Sequence, residues 1–159
     1  MSFYGFGLFK EYQTRDCGKY AKKLGKILDF FPEDLSLTIS KLDHISGASV
    51  VLYHKPTGKK IAWGHLMMMP GCCGLVVSTG SYVNPDYRNK GVGTIMHKIR
   101  KDIAGEAGFS CMICTDVMNN KPQQKILKNA KWKFVHKFLN RNTGNTVGIH
   151  ITNVKDVDV

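Results

Sequence analysis

The chain has 159 residues, 43 % of them hydrophobic, and 23 Lys and Arg stand against 12 Asp and Glu for a net charge of +11. That length suits a single domain over residues 1–159, and the hydrophobic share supplies a core and excludes a disordered chain. No apolar run reaches the ~20 residues that cross a bilayer, the first residues lack the basic start of a signal peptide, and the five cysteines without framework spacing fit reduced thiols in the cytoplasm.

Residues 3–12 read as a first strand, rich in aromatics. Thr14 or Asp16 can cap a helix over residues 16–29, with Tyr20, Leu24, Ile27 and Leu28 on its apolar face. Pro32 suits the first turn of a second short helix, although Leu35, Leu37 and Ile39 alternate as a strand does. Residues 48–54, 60–69 and 73–83 form an antiparallel meander, turned at Lys55–Lys59 and at Pro70-Gly71. Gly80 inside the third of these strands marks a bulge or a close backbone approach. Ile95, Met96, Ile99, Ile103 and Ala107 recur at helical spacing. A strand over 109–117 and a short helix from Asn120 to Asn129 come next. Residues 132–140 and 147–152 alternate as two strands around an Asn142–Asn145 turn, and the tail from Lys155 reads as frayed. The order predicts an α+β fold, a mixed and mostly antiparallel central sheet of about seven strands flanked by about four helices.

The most informative stretch joins the strand ending at Val83 to the helix of Ile95. It reads Asn84-Pro85-Asp86-Tyr87-Arg88-Asn89-Lys90-Gly91-Val92-Gly93-Thr94. A helix N-terminus leaves backbone N–H groups unpaired at the positive end of its dipole, so it attracts anions. Gly91 and Gly93 remove side chains that would keep a ligand from that backbone. Arg88 and Lys90 add charge at the rim. Phosphate or pyrophosphate is the expected ligand. The spacing matches neither the Walker loop nor the dinucleotide fingerprint.

Arg88-x-x-Gly91-x-Gly93, after a strand end of the form Val-x-Pro, resembles the pyrophosphate loop of the GNAT superfamily, the acyl-CoA-dependent N-acetyltransferases. The likeness is strong over residues 83–132 and topological over 3–152. It implies the acyl-CoA N-acyltransferase fold, with acetyl-CoA as co-substrate, an amine acceptor and no metal. It implies that backbone N–H groups of Arg88, Asn89, Lys90, Gly91, Val92, Gly93 and Thr94 hold the pyrophosphate, while the Arg88 side chain contacts phosphate or orders the loop. It places the thioester carbonyl near the backbone of Tyr82 and Val83, in a gap between strands 75–83 and 110–117 that receives the pantetheine arm. Asn120 falls on the asparagine that meets that arm, and Trp132 on the family's aromatic.

Two positions depart from the pattern. The family's frequent tyrosine acid falls on Leu127, which has no proton to give, and its glycine falls on Lys131. The usual glutamate base is missing too, since His44 to Pro85 contains no Asp or Glu. Asp116 and His65 are the candidate bases, with Glu33, Asp34 and Asp43 as further possibilities. As structural residues, Asp116 would serve a cap or turn and His65 a satisfied sheet position. Cys111 and Cys114 point to opposite faces of a strand and so do not share a metal. His97, beside Met96, reads as a surface or edge residue. Lys121, Lys125, Lys128, Lys131, Lys133 and Lys137 form a basic patch that recognises the 3′-phosphate of CoA, tracks a nucleic acid, or is simply solvated.

The expected protein is an N-acetyltransferase that is a monomer or homodimer, makes no membrane contact, and acts on a protein, small-molecule or nucleic-acid-linked amine. The alternative is a catalytically weak CoA- or nucleic-acid-binding module of the same fold.

Overall fold

The computed structural model describes residues 12–42 and 46–155. The candidate base Asp43, the tail beyond Lys155 and all of the proposed strand over residues 3–12 except Tyr12 lie outside the described residues. Among the described residues eight strands form one sheet in the order β1-β2-β3-β4-β5-β6-β8-β7. They are β1 (Tyr12–Arg15), β2 (Leu35–Lys41), β3 (Gly47–His54), β4 (Lys59–Met68), β5 (Leu75–Val83), β6 (Cys111–Val117), β7 (Lys133–Leu139) and β8 (Thr146–Asn153). Three α-helices among the described residues accompany them: α1 (Ala21–Leu28), α2 (Val92–Glu106) and α3 (Lys121–Asn129).

Strands β1 to β5 run as an antiparallel meander, β5 and β6 pair in parallel, and β8 lies antiparallel between β6 and β7. The sheet is therefore mixed and mostly antiparallel, and the described residues hold one strand more and one α-helix fewer than the sequence suggests. The missing helix is the one at Pro32. There the chain makes only a single 3-10 turn, Pro32–Asp34, and Leu35 enters β2 at once. The alternation of Leu35, Leu37 and Ile39 wins because all three are needed in the core, each at most 3 % exposed. The first helix is shorter than its predicted span as well. Asp16 Oδ1 accepts from Gly18 N at 2.8 Å and starts a 3-10 turn, Gly18–Tyr20, that runs into α1.

The core lies between the sheet and the helices. Leu24 and Leu28 of α1 meet Ile95, Met96, Ile99 and Ile103 of α2 and Leu127 of α3 over Ala48, Val50, Leu52, Leu66, Val76 and Met112 of the sheet. At about 25 cal/mol per Å² of apolar surface, burying side chains of this size contributes ~1.5–3 kcal/mol each. Helix α2 rests on β4 and β5 and touches both other helices. Its N-terminus is thereby fixed over the end of β5.

Candidate active site

Strands β5 and β6 pair only at Leu75↔Cys111, Val76↔Met112 and Val77↔Ile113. Beyond that point β5 keeps its pairing to β4 and β6 keeps its pairing to β8. The two strands thus part, and the edge of β5 from Ser78 to Val83 is not paired to Cys114–Val117 of β6. A gap edged by unpaired amides can accept an extended, amide-bearing chain as though it were another strand.

β5 is irregular just beyond the parting. Opposite Gly64, between the pairs Trp63↔Tyr82 and His65↔Thr79, β5 inserts an extra residue. Gly80 sits there at φ +63, with its missing Cβ position 2.6 Å from His65 Cδ2. Both readings of Gly80 are therefore correct: it forms the bulge and it permits the close approach.

At the end of β5, Asn84 Oδ1 accepts from Asp86 N at 3.2 Å, and the Asn84 amide donates to Lys60 O at 3.3 Å. Asp86 pairs with Lys59 at 2.6 Å. These contacts tie the loop to β4. Arg88 Nε donates to Val83 O at 2.9 Å, so this side chain orders the loop, and its guanidinium carbon lies 5.3 Å from the centre of the Tyr82 ring. Asn89 (φ 61) and Gly91 (φ 87) turn the chain through left-handed conformations into α2. Gly91 is the N-cap without a side-chain cap, and the first bond of α2 runs from Ile95 N to Gly91 O. Among the described residues the N–H groups of Gly91, Val92, Gly93 and Thr94 have no acceptor. Lys90 is exposed beside them.

The two loop glycines serve different ends. A Cβ on Gly91 would point into open space, so its conformation and its bare approach are what matter. A Cβ on Gly93 would lie 2.8 Å from Ile126 Cδ1, so this residue lets α3 pack against the start of α2. Gly93 therefore has a packing reason beside the ligand access expected of it.

Asn120 caps α3, its Oδ1 accepting from Gln123 N at 3.2 Å. Leu127 is 1 % exposed in the core, a position filled for packing. Trp132 is buried, edge-on to His97 with ring centres 5.7 Å apart. His97 is not at the surface. It is 3 % exposed, and burial together with the nearby Arg100 charge pushes its pKa down to about 3.

The two candidate bases differ in their surroundings. Asp116 is buried, and both its oxygens are engaged, Oδ1 with His150 Nε2 at 2.7 Å and Oδ2 with the Gln124 amide. Gly148 leaves room for that pair, since its Cβ would lie 3.1 Å from Asp116 Oδ1. His65 is half-buried, and its Nδ1 has no partner among the described residues. Desolvation, then the charge of Arg100, lowers its pKa from the usual 6.5. His65 alternates with Gly64 along β4, as does Trp63, which stacks on Tyr82 at 4.1 Å between ring centres. Trp63 and His65 therefore face away from the helix side, where Gly64 meets Arg100. Glu33 and Asp34 lie on the 3-10 turn before β2.

One residue of this region escaped the sequence reading. Arg100 of α2 is fully buried and donates to Ser78 Oγ at 3.1 Å and Ser81 Oγ at 2.6 Å. Its signal was present. Position 100 falls on the same helical stripe as Met96, Ile103 and Ala107, where a polar residue is out of pattern. Among the described residues no group of three His, Cys, Asp or Glu side chains is placed to hold a metal ion, and no helix is long and apolar enough to cross a membrane.

A mixed sheet parted between two parallel strands, with bare helix amides at the mouth of the gap, defines an acyl-CoA acyltransferase architecture. The profile of the acetyltransferase (GNAT) family matches residues 20–130, and the chain belongs to that family. No curated protein sequence matches it. Solved structures share the fold at low identity. A protein assigned to the GNAT family from Desulfovibrio desulfuricans superposes with a TM-score of 0.63 at 9 % identity, over 91 % of this chain and 98 % of that one. Ribosomal-protein-S5-alanine acetyltransferase of Vibrio fischeri gives 0.63 at 12 %, over 93 % and 96 %. YncA of Salmonella typhimurium, solved with its cofactor acetyl-CoA, gives 0.61 at 11 %, over 94 % and 98 %.

Proposed function

We propose that this protein transfers the acetyl group of acetyl-CoA to a primary amine, and that residues 1–159 act as one catalytic domain in the cytoplasm. The single observation that carries this reading is the set of acceptor-free amides at Gly91–Thr94 beside the open edge of β5. Acetyl-CoA supplies an activated thioester. The Arg88 N–H is already given to Pro85 O at 3.3 Å, which takes it out of the expected set; in this reading the amides of Asn89 to Thr94, with Asn89 in its left-handed turn and Lys90 at the rim, hold the pyrophosphate. The edge of β5 at Tyr82 and Val83 receives the arm and polarises the carbonyl, and Asn120 borders the arm at the start of α3. His65 accepts the proton of the incoming amine. The support is its lowered pKa, which keeps the imidazole neutral at pH 7, together with a buried Nδ1 that no group among the described residues occupies. Asp116 is the second choice, because both of its oxygens are already bonded.

The test is release of CoA thiol from acetyl-CoA in the presence of a panel of primary amines and amine-bearing peptides. His65→Asn should lower kcat/KM by about 10²-fold, the usual range for loss of a general base. Activity of the parent should hold as pH falls through 6.5 and be lost only lower, since His65 protonates below its usual value. Absence of thiol release with every amine would favour the second reading, a CoA-binding module without catalysis, which the leucine at position 127 supports.

The surplus charge supports a further element of the proposal, contact with nucleic acid by the monomer or a homodimer. Lys98, Lys101, Lys131 and Lys133 line a hollow of about 710 Å³ near the end of α2. Beside it β7, an edge strand, presents Lys133, Lys137 and the exposed rings of Phe134 and Phe138. Cations interleaved with rings suit a phosphate backbone with stacked bases.

A further inference from the structure

Family members with a tyrosine at position 127 would have an acid for the leaving thiolate; this chain has leucine. Its core holds a different resource at the same junction. Arg100 is 0 % exposed, and no carboxylate pairs with it among the described residues. Its Nε and Nη2 donate to Ser78 and Ser81, Nη2 also lies 3.4 Å from His97 Nδ1, and Nη1 has no acceptor among the described residues. Burying a cation without a counter-charge is costly. The chain makes specific room for it, because a Cβ on Gly64 would collide with the guanidinium.

The position is telling. Ser78 is the first residue of β5 beyond its last pair with β6, and Ser81 belongs to the bulge. Ser81 is exposed, so the guanidinium lies one hydrogen bond beneath the open edge of the gap. From β6, the Cys114 thiol faces the same charge.

We propose that Arg100 is a positioning and electrostatic residue of the acyl transfer: it holds the Ser78–Ser81 bulge so that the following amides face the thioester, and its unpaired charge lets the thiol leave as a thiolate without an acid. This inference rests on the acetyl-CoA reading above. In the step, the amine nitrogen forms a bond to the carbonyl carbon and the C–S bond breaks. The electron pair stays on sulfur, and the proton from nitrogen passes to His65 and then to water. A positive charge in a dry site favours the anion on oxygen and then on sulfur.

The other ionisable groups around Arg100 do not cancel it. His97 and His65 are kept neutral, their pKa values lowered by burial and by Arg100 itself. Burial holds the Cys114 thiol protonated, at about 12, and Asp116 is bound to His150. Arg100 is itself pushed down to about 10 by burial, which leaves it charged at neutral pH.

The test uses CoA rather than turnover. CoA is titrated with base while bound to the protein, and its thiolate is followed by ultraviolet absorbance. The bound thiol should ionise at least one pH unit below free CoA, a tenfold greater thiolate fraction. Arg100→Lys should keep most of the shift. Arg100→Gln, which can still bond the serines, should bind CoA within a few-fold and lose the shift. A purely structural role would alter folding or affinity and leave the thiol value alone. A bound thiol that ionises as in free CoA, or equally in parent and Arg100→Gln, overturns the inference while the acetyl-CoA reading stands. Failure of the parent to bind CoA overturns both.

Discussion

Lysine at position 131 adopts φ 60, a left-handed conformation that costs a residue with a Cβ about 1–2 kcal/mol. The glycine expected there by family likeness thus has a backbone reason, and this chain tolerates the strain. Lys131→Gly should raise stability by up to about 1 kcal/mol, part of the relief being offset by glycine's greater freedom when unfolded. A shift of the urea midpoint to higher concentration checks it; an unchanged or lower midpoint would show that the lysine side chain compensates. His97 gives a second prediction. Its pKa drops from 6.5 to about 3 on folding, so below 6.5 the unfolded chain binds a proton that the folded chain refuses. Its contribution is complete above pH 6.5 and is lost as pH falls towards 3, by at most about 1.4 kcal/mol per pH unit. His97→Gln should flatten that slope in denaturant titrations between pH 6 and about 4.

At the scale of elements, the loop of Arg88 to Thr94 and the bulge at Gly80 were legible because each depends on glycine at a fixed spacing, which a sequence displays directly. The helix at Pro32 was not, because burial of Leu35, Leu37 and Ile39 overrode a local start signal. Alternation from Trp132 to Phe138 was only partly legible: Trp132 precedes β7 and is buried, and a register shift between Phe134 and His136 breaks the face. The polar centre under α2 was misread because periodicity registers apolar positions, while His97 and Arg100 carry polar groups on the inner stripe. Packing between α2 and β4 depends on that centre. Gly64→Ala would drive a methyl group into the Arg100 guanidinium, at a cost of ~1–3 kcal/mol. A lower melting temperature checks this, and pairing the change with Arg100→Gln should recover part of the loss. Equal losses in the single and double variants would mean that the two residues are not coupled.

Over the whole molecule, the excess of 23 basic over 12 acidic residues is more than one pyrophosphate requires. If the basic hollow and β7 hold a nucleic acid, affinity for single-stranded DNA or RNA should fall steeply as salt rises. Phe134→Ala should weaken binding by ~1–3 kcal/mol where a base stacks on that ring. Fluorescence anisotropy across a salt series reads both effects, and binding that ignores salt would refute the contact.

The central claim concerns the bare amides between β5 and α2, and calorimetric titration of acetyl-CoA into the intact protein tests it most directly. The parent should bind with one site per chain. Gly91→Asp should abolish binding, because its carboxylate meets the phosphates and its Cβ strains a residue at φ 87. No heat of binding at millimolar acetyl-CoA, or equal affinity in the two proteins, would contradict the account.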